Sequence, residues 1–271
     1  SNVLPFMLKA ENSSTVSFEK LKLKDQIVPH VDWLKENLSP NCRVFCVSWV
    51  TFDTGKTVDI VNIGKYLKEK NILFVVDVTQ GLGGLELPPE ALTYIDVLSC
   101  ASYKWLLGPY GHAFGYFSPT AQQIVKHTNA NWVTSPTSKN VHNLLEYTTD
   151  TLPGARKYDR GQTANMLIMS ALSGSLSFLK EIGLKNIQDY NKSLKDYFWQ
   201  KFKVNNYEII TPQTSLSNII ALKSNQPTQV ENILKEKNID VSIREGNIRI
   251  SFHLYNTFEQ VDLLLDALHS V

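Results

Sequence analysis

Three stretches of this chain are almost continuously apolar: RVFCVSWV (43–50), ILFVVDV (72–78) and YIDVLSCA (94–101). Each has the length of a strand. Unbroken apolar runs suit strands covered on both faces, since a half-exposed strand alternates apolar with polar positions. Between the first two, TVDIVNIGKYLKEKN sets Val58, Ile60, Val61, Ile63, Tyr66 and Leu67 near helical spacing. Its lysines gather at the C-terminal end, where they complement the helix dipole. Strand, helix and strand joined by short connections predict βαβ units and a parallel sheet. GHAFGYFSP (111–119) reads as a fourth strand, placed by its Gly and Pro near an edge or a bend. The opening, SNVLPFMLKAENSSTVSFEKLKL, reads as strand-like and as starting in the middle of a domain.

The pattern then changes. Residues 127–162 are polar with little periodicity, and loops of that length are uncommon unless functional or disordered. Two long helical patterns follow, 163–180 and 183–203, divided by Gly183 as a stop signal. From Tyr207 the chain reads strand, strand, helix, strand, helix through YEIIT, SNIIALK, TQVENILKEKN, GNIRISFHLY and TFEQVDLLLDALHSV. The expected organisation is a large α/β domain with connecting helices over 1–204 and a small C-terminal α+β domain over 205–271.

Composition narrows the partners. The 271 residues are 43% apolar and 20% charged, enough chain for a large core. A net charge of +1 and singly scattered lysines give no basic stripe for nucleic acid. No apolar run approaches the roughly 20 residues that span a bilayer. Cys42, Cys46 and Cys100 sit in apolar contexts, as buried thiols of a reducing compartment do, so the cytoplasm is the expected location. The six histidines show no metal-ligand spacing, and no metal is expected.

Two residues stand out as chemistry. Asp77 ends the run ILFVVD, at the C-terminal edge where open α/β sheets bind ligands, although a helix cap or loop carboxylate reads similarly. Lys104, in ASYKWLLGPYG, follows the next strand amid apolar neighbours, where an unpaired ammonium is expensive. A desolvated lysine with a lowered pKa attacks carbonyls. An amine and an acid at neighbouring strand ends are what a pyridoxal phosphate site needs: one to hold the cofactor, the other to face its pyridine nitrogen. GLGGLELPP (81–89) supplies glycines for a close-approach loop but lacks dinucleotide-fingerprint spacing.

These residues carry a resemblance. VVDVTQGLGGLEL followed by IDVLSCASYKWLLGPYG resembles the core of the class V aminotransferases, in the fold-type I group of pyridoxal-phosphate enzymes. SNVLPF, VSWVTFDTGKTVDI, GARKYDRGQTAN and IRISFHLYNTFEQVDLLLDAL resemble further segments of that family in order along the chain. The resemblance implies a fold-type I α/β architecture with a mostly parallel sheet, and a homodimer sharing its active sites. It implies Lys104 as the Schiff-base lysine and α-proton shuttle, Asp77 at the pyridinium nitrogen and Gln80 at the 3-oxygen. Tyr103 would meet the phosphate, as in kynureninase-like members, with Gln162 and Thr163 reaching it across the dimer interface. Ser102 is a less consistent phosphate ligand. Arg249 would clamp the substrate α-carboxylate, a task that suits a guanidinium fork. His112 and His253 are candidates to line the site, while Trp49 and Trp105 are expected to pack in the core.

The chain departs from the family pattern in three places. VSIREGNIRI has neither the cysteine nor the loop length of a desulfurase, so a desulfurase is not expected. Phe52 stands where several members have asparagine, and aromatic residues there occur in the isopenicillin-N-epimerase-like branch. The family's first segment, with its phosphate loop and ring-stacking aromatic residue, falls outside this sequence. The implied function is a pyridoxal-phosphate enzyme acting on an amino acid or related amine, aminotransferase-like in chemistry. Epimerase or lyase/hydrolase chemistry of the same family is the alternative, and a non-catalytic dimerising or binding remnant is the alternative of another class.

Overall fold

The computed structural model describes residues 2–23, 28–140, 142, 145–161, 165–203 and 206–270. The elements run α1 (Leu4–Glu11), α2 (Val31–Asn37), β1 (Val44–Ser48), α3 (Ile60–Glu69), β2 (Leu73–Asp77), α4 (Ala91–Tyr94), β3 (Val97–Ala101), β4 (Ala113–Phe117) and α5 (Pro119–Ile124). They continue with α6 (Met166–Ile182), α7 (Leu184–Lys201), β5 (Tyr207–Ile209), β6 (Ile219–Ser224), α8 (Pro227–Glu236), β7 (Ser242–Arg244), β8 (Asn247–Ser251) and α9 (Phe258–His269).

The first sheet has the order β1-β2-β3-β4. Its first three strands are parallel, and β4 closes the edge antiparallel to β3. The apolar runs therefore become strands as their pattern predicts, with Phe74 and Val76 of β2 fully buried. The second sheet has the order β5-β6-β8-β7 and is antiparallel throughout. One face of it packs on α7, α8 and α9 in a second core that includes Leu194, Phe198, Ile220, Leu222, Ile248 and Leu264. The expected division after residue 204 falls on residues outside those described. Helix α7 serves both cores, giving Ile187 to the first and Leu194 and Phe198 to the second.

The opening segment differs from its strand-like reading. Leu4–Glu11 is a helix with Pro5 in the first turn, a position where the missing N–H is no loss. None of its residues is buried, so no core contact imposes a period of two. Elsewhere the punctuation holds: Asp59 caps α3 by accepting from Asn62 N at 3.0 Å, and Gly183 ends α6 at φ 89°. No single helix among the described residues is long and apolar enough to cross a membrane.

A polar seam joins the two sheets. Gly55, at φ 64°, approaches Ile219 so closely that a Cβ there would fall 2.6 Å from the Ile219 carbonyl oxygen. Its own carbonyl accepts from the hydroxyls of Ser215, at 2.8 Å, and Ser217. Ser217 N donates to Thr57 Oγ1 at 3.1 Å, and Thr211 Oγ1 donates to the Thr54 carbonyl. Ile219, although a residue of the second sheet, lies in the first core.

Lys195 of α7 fastens the same loop, its Nζ donating to the carbonyls of Ser217, at 2.9 Å, and Ser215. Burial pushes its pKa down from 10.5 to about 8. Below the lower value both folded and unfolded chains carry the charge, and the whole penalty for burying it is present. Between about 8 and 10.5 the folded chain sheds the proton first, so stability rises with pH across that window. At about 1.4 kcal/mol per unit, the gain is at most about 3.5 kcal/mol. Denaturant unfolding at about pH 7 and about pH 10 should show this gain for the native chain and not for Lys195→Met. An equal pH dependence in both would remove the buried amine as its source.

Candidate active site

The site forms where β2 and β3 end side by side. Asp77 is the last residue of β2, paired with Ser48 on one side and Ser99 on the other. Its Oδ1 accepts from Thr79 N at 2.8 Å, a local turn that short carboxylate side chains favour. Thr79 Oγ1 in turn accepts from Ala101 N at 3.0 Å. One threonine thus ties the Asp77 turn to the end of β3, three residues before Lys104. The Asp77 Oδ2 has no protein donor among the described residues. Gln80 follows, half-buried, and no hydrogen bond occupies its amide among the described residues.

Asp77 also acts on the neighbouring thiols. Burial, and after it the Asp77 charge, raises Cys46 to about 11 and Cys100 to about 12. Burial raises Cys42 as well. Thiolates are the reactive form of cysteine, and these three are held away from it.

Lys104 lies in the turn between β3 and β4. Ser102 builds that turn. Its carbonyl accepts from Gly108 N at 2.9 Å, and its buried hydroxyl lies 3.0 Å from the His112 carbonyl and 3.2 Å from that of Pro109. With its proton committed to the turn, Ser102 is a structural residue here. Leu107 N donates to the Lys104 carbonyl at 3.0 Å, with Leu107 at φ 54°. The rings of Tyr103 and Tyr110 stack at 4.3 Å between centroids, and Lys104 Nζ lies 5.2 Å from the Tyr103 centroid.

Behind the turn, Gly83 and Gly84 lie against Trp105, and Gly81 lies against Trp49. Both indoles belong to the first core, as expected. The ring of His253 stacks on Trp105 at 4.9 Å and on Tyr255 at 4.7 Å. Burial lowers the His253 pKa, and the Trp105 backbone partly offsets that shift. His112 faces a groove beside Met169, Leu172 and Leu176 of α6.

Lys104 is half-buried and its pKa is lowered, first by desolvation and then by Arg249 and Arg244. Arg249 stands on β8 and reaches across to the first sheet, its Nη1 donating to the Phe52 carbonyl at 2.8 Å. Its Nη2 lies 3.4 Å from Ser242 Oγ, and its Nε is buried without a partner. The fold therefore brings Lys104 and Arg249 together and fixes Asp77 at the same edge through Thr79. Gln162 and Thr163 lie outside the described residues. A cleft of about 440 Å³ among Trp49, Lys56, Leu85, Gln188 and Ser215 contains none of these residues. Thr79 and Arg244 were not singled out in the sequence. An Asp-x-Thr turn is a faint signal for the first, and only strand register could reveal the second.

The residues fit a pyridoxal phosphate group. No ion pair within 4.0 Å joins Asp77 to Lys104 among the described residues, so the acid and the amine are not spent on each other. A ring that needs an amine at its carbonyl and a carboxylate at its nitrogen requires that separation.

Comparison with known proteins agrees. The chain is 23% identical over 266 residues to an uncharacterized aminotransferase, YcbU, of Bacillus subtilis (strain 168), covering 98% of this chain and 68% of that protein. It is 24% identical over 245 residues to isopenicillin N epimerase of Streptomyces clavuligerus, covering 86% of this chain and 61% of the epimerase. The apo structure of a cysteine desulfurase from Thermococcus onnurineus NA1 superposes with a TM-score of 0.85 at 18% identity, over 99% of this chain and 69% of that one. This likeness establishes the fold-type I architecture. Residues 1–264 match the family model of the class-V aminotransferases, enzymes that work with pyridoxal phosphate, and the chain belongs to that family.

Proposed function

We propose that this chain carries the catalytic core of a pyridoxal-phosphate enzyme acting on an amino acid or related amine, with aminotransferase-like chemistry. The observation that carries the reading is Lys104: an amine at a strand end, lowered in pKa, without a carboxylate partner among the described residues and within the influence of Arg249. Pyridoxal phosphate, when bound, supplies an electrophilic carbonyl and an electron-withdrawing ring. Lys104 would bear it, Asp77 would face its ring nitrogen, Gln80 its 3-oxygen, and Tyr103, Gln162 and Thr163 its phosphate.

The lowered pKa leaves more of Lys104 as neutral amine, the form that attacks carbonyls and accepts protons. Lys104 would take the proton from the substrate Cα and return one, as base and then acid. The Arg249 fork holds the substrate carboxylate in two parallel hydrogen bonds and so fixes which Cα bond faces Lys104. The raised thiols of Cys46 and Cys100 support a reaction without a cysteine nucleophile.

A homodimer would use α6, whose Met166 and Leu167 are 72% and 85% exposed, with Phe178 on the side of Leu167 and Met169 and Leu176 on the opposite side.

Added pyridoxal phosphate should turn the purified chain yellow. Borohydride should then bleach the colour and leave the cofactor mass on the peptide containing Lys104. Amino acids should discharge the colour with release of keto acid, and the same preparation should sediment at twice the mass of one chain. A chain that stays colourless in excess cofactor would overturn the reading.

A further inference from the structure

Two arginines act on Lys104, and the chemistry above uses one. β7 and β8 form a hairpin closed by Glu245 and Gly246, whose φ values of 49° and 78° make a two-residue turn suited to strand twist. The register pairs Ser242 with Arg249 and Arg244 with Asn247, so these four side chains share one face. Ile243 and Ile248 take the other face, against the second core. The polar face is held towards the Lys104 turn by the bond from Arg249 to the Phe52 carbonyl.

The positive charge on that face lacks an answer. Arg244 is exposed, and its Nη1 donates to the carbonyl of its neighbour Ile243 at 2.9 Å. Among the described residues no carboxylate pairs with Arg244, Arg249 or Lys104. Glu245 lies in the exposed turn without an ion pair among the described residues, and Asp53 Oδ1 accepts from Thr54 N. The Arg249 Nε is buried and unpartnered. Arg244 adds to the burial that already lowers Arg249, and both arginines add to the lowering of Lys104. Such an arrangement is unfavourable for the empty protein and becomes favourable when a ligand brings the anions.

We propose that Arg244 is a specificity residue that receives a second anionic group of the substrate, a carboxylate on the amino acid's side chain, while Arg249 takes the α-carboxylate. One carboxylate has two oxygens and fills one guanidinium fork; two forks on one face match a dicarboxylate. The inference rests on the function proposed above for the α-carboxylate role of Arg249, and its test does not require turnover.

Calorimetric titration of the chain with succinate against butyrate, and with glutarate against pentanoate, reads the second fork directly. Each diacid should bind about tenfold more tightly than its monoacid, the value of one charged hydrogen-bonded contact. R244Q should lose that preference while binding the monoacids unchanged, and R244K should keep part of it. Equal binding of diacid and monoacid, no measurable diacid binding, or an undiminished preference in R244Q would each overturn the proposal. A colourless chain that still prefers diacids would sink the cofactor reading and leave the arginine pair standing. A yellow, borohydride-fixable chain without the preference would do the reverse.

Discussion

Lys104→Ala should leave the chain folded and colourless with pyridoxal phosphate, and should lower turnover of any amino acid substrate by about 10³-fold or more. The size of the effect follows from two losses at one atom. Without the Nζ no amine remains at the site to carry the cofactor, and no group remains there to move the Cα proton. Other lysines do not replace it. Lys195 is lowered in pKa, yet its Nζ is committed to the carbonyls of Ser215 and Ser217. Lys56 is buried beside the separate cleft of about 440 Å³. The fold should survive, because Ser102 and Gly108 hold the turn through atoms that the substitution leaves in place. Borohydride trapping followed by peptide mass reads the first loss, and single-turnover keto-acid release the second. A variant that still fixes cofactor at this peptide would remove Lys104 from the mechanism.

Gly83→Ala should be among the most damaging small substitutions, costing about 3 kcal/mol or more. Gly83 has φ 101°, where an L side chain is strained, and its Cβ would fall 2.8 Å from both the carbonyl carbon and oxygen of Trp105. Those are backbone atoms, one residue beyond Lys104, and they cannot swing aside as a side chain can. Strain of about 1–3 kcal/mol therefore adds to overpacking of similar size. Gly246→Ala is the natural comparison. It sits at φ 78° with nothing within 4 Å of its Cβ position, so only the strain applies, about 1 kcal/mol. Denaturant midpoints of the two variants separate the contributions. If they match, the Trp105 backbone yields freely and the glycine loop does not fix the Lys104 turn.

The strands that carry the site were legible because burial on both faces wrote them as apolar runs, with Asp77 and the Lys104 turn as their polar punctuation. What joins those ends was not. Thr79 contributes one hydroxyl and one N–H to two neighbours, and such bonds leave no periodic trace in a sequence. Strand β7 was missed because three residues, Ser242–Arg244, are too few to alternate visibly. The Glu245-Gly246 pair between SIR and NIR was a hairpin signal that could have found it. With the hairpin unrecognised, Arg244 could not be placed beside Arg249. Helix α1 departs from its strand-like pattern because its residues bury nothing, so no core imposes either a helical or a strand period on them.

The polar seam between the sheets bears on how the protein is made. Gly55 and Ser215, which it bonds, are 160 residues apart, and the Ile219 side chain that completes the first core comes later still. A ribosome emits β1, β2 and β3 well before that isoleucine. The nascent first sheet therefore waits without Ile219 in its core until the second sheet begins to emerge. Closing so long a loop is slow compared with forming the local helices. The seam can close only once residues 211–219 have emerged, and before that stage the growing chain exposes apolar surface to its neighbours.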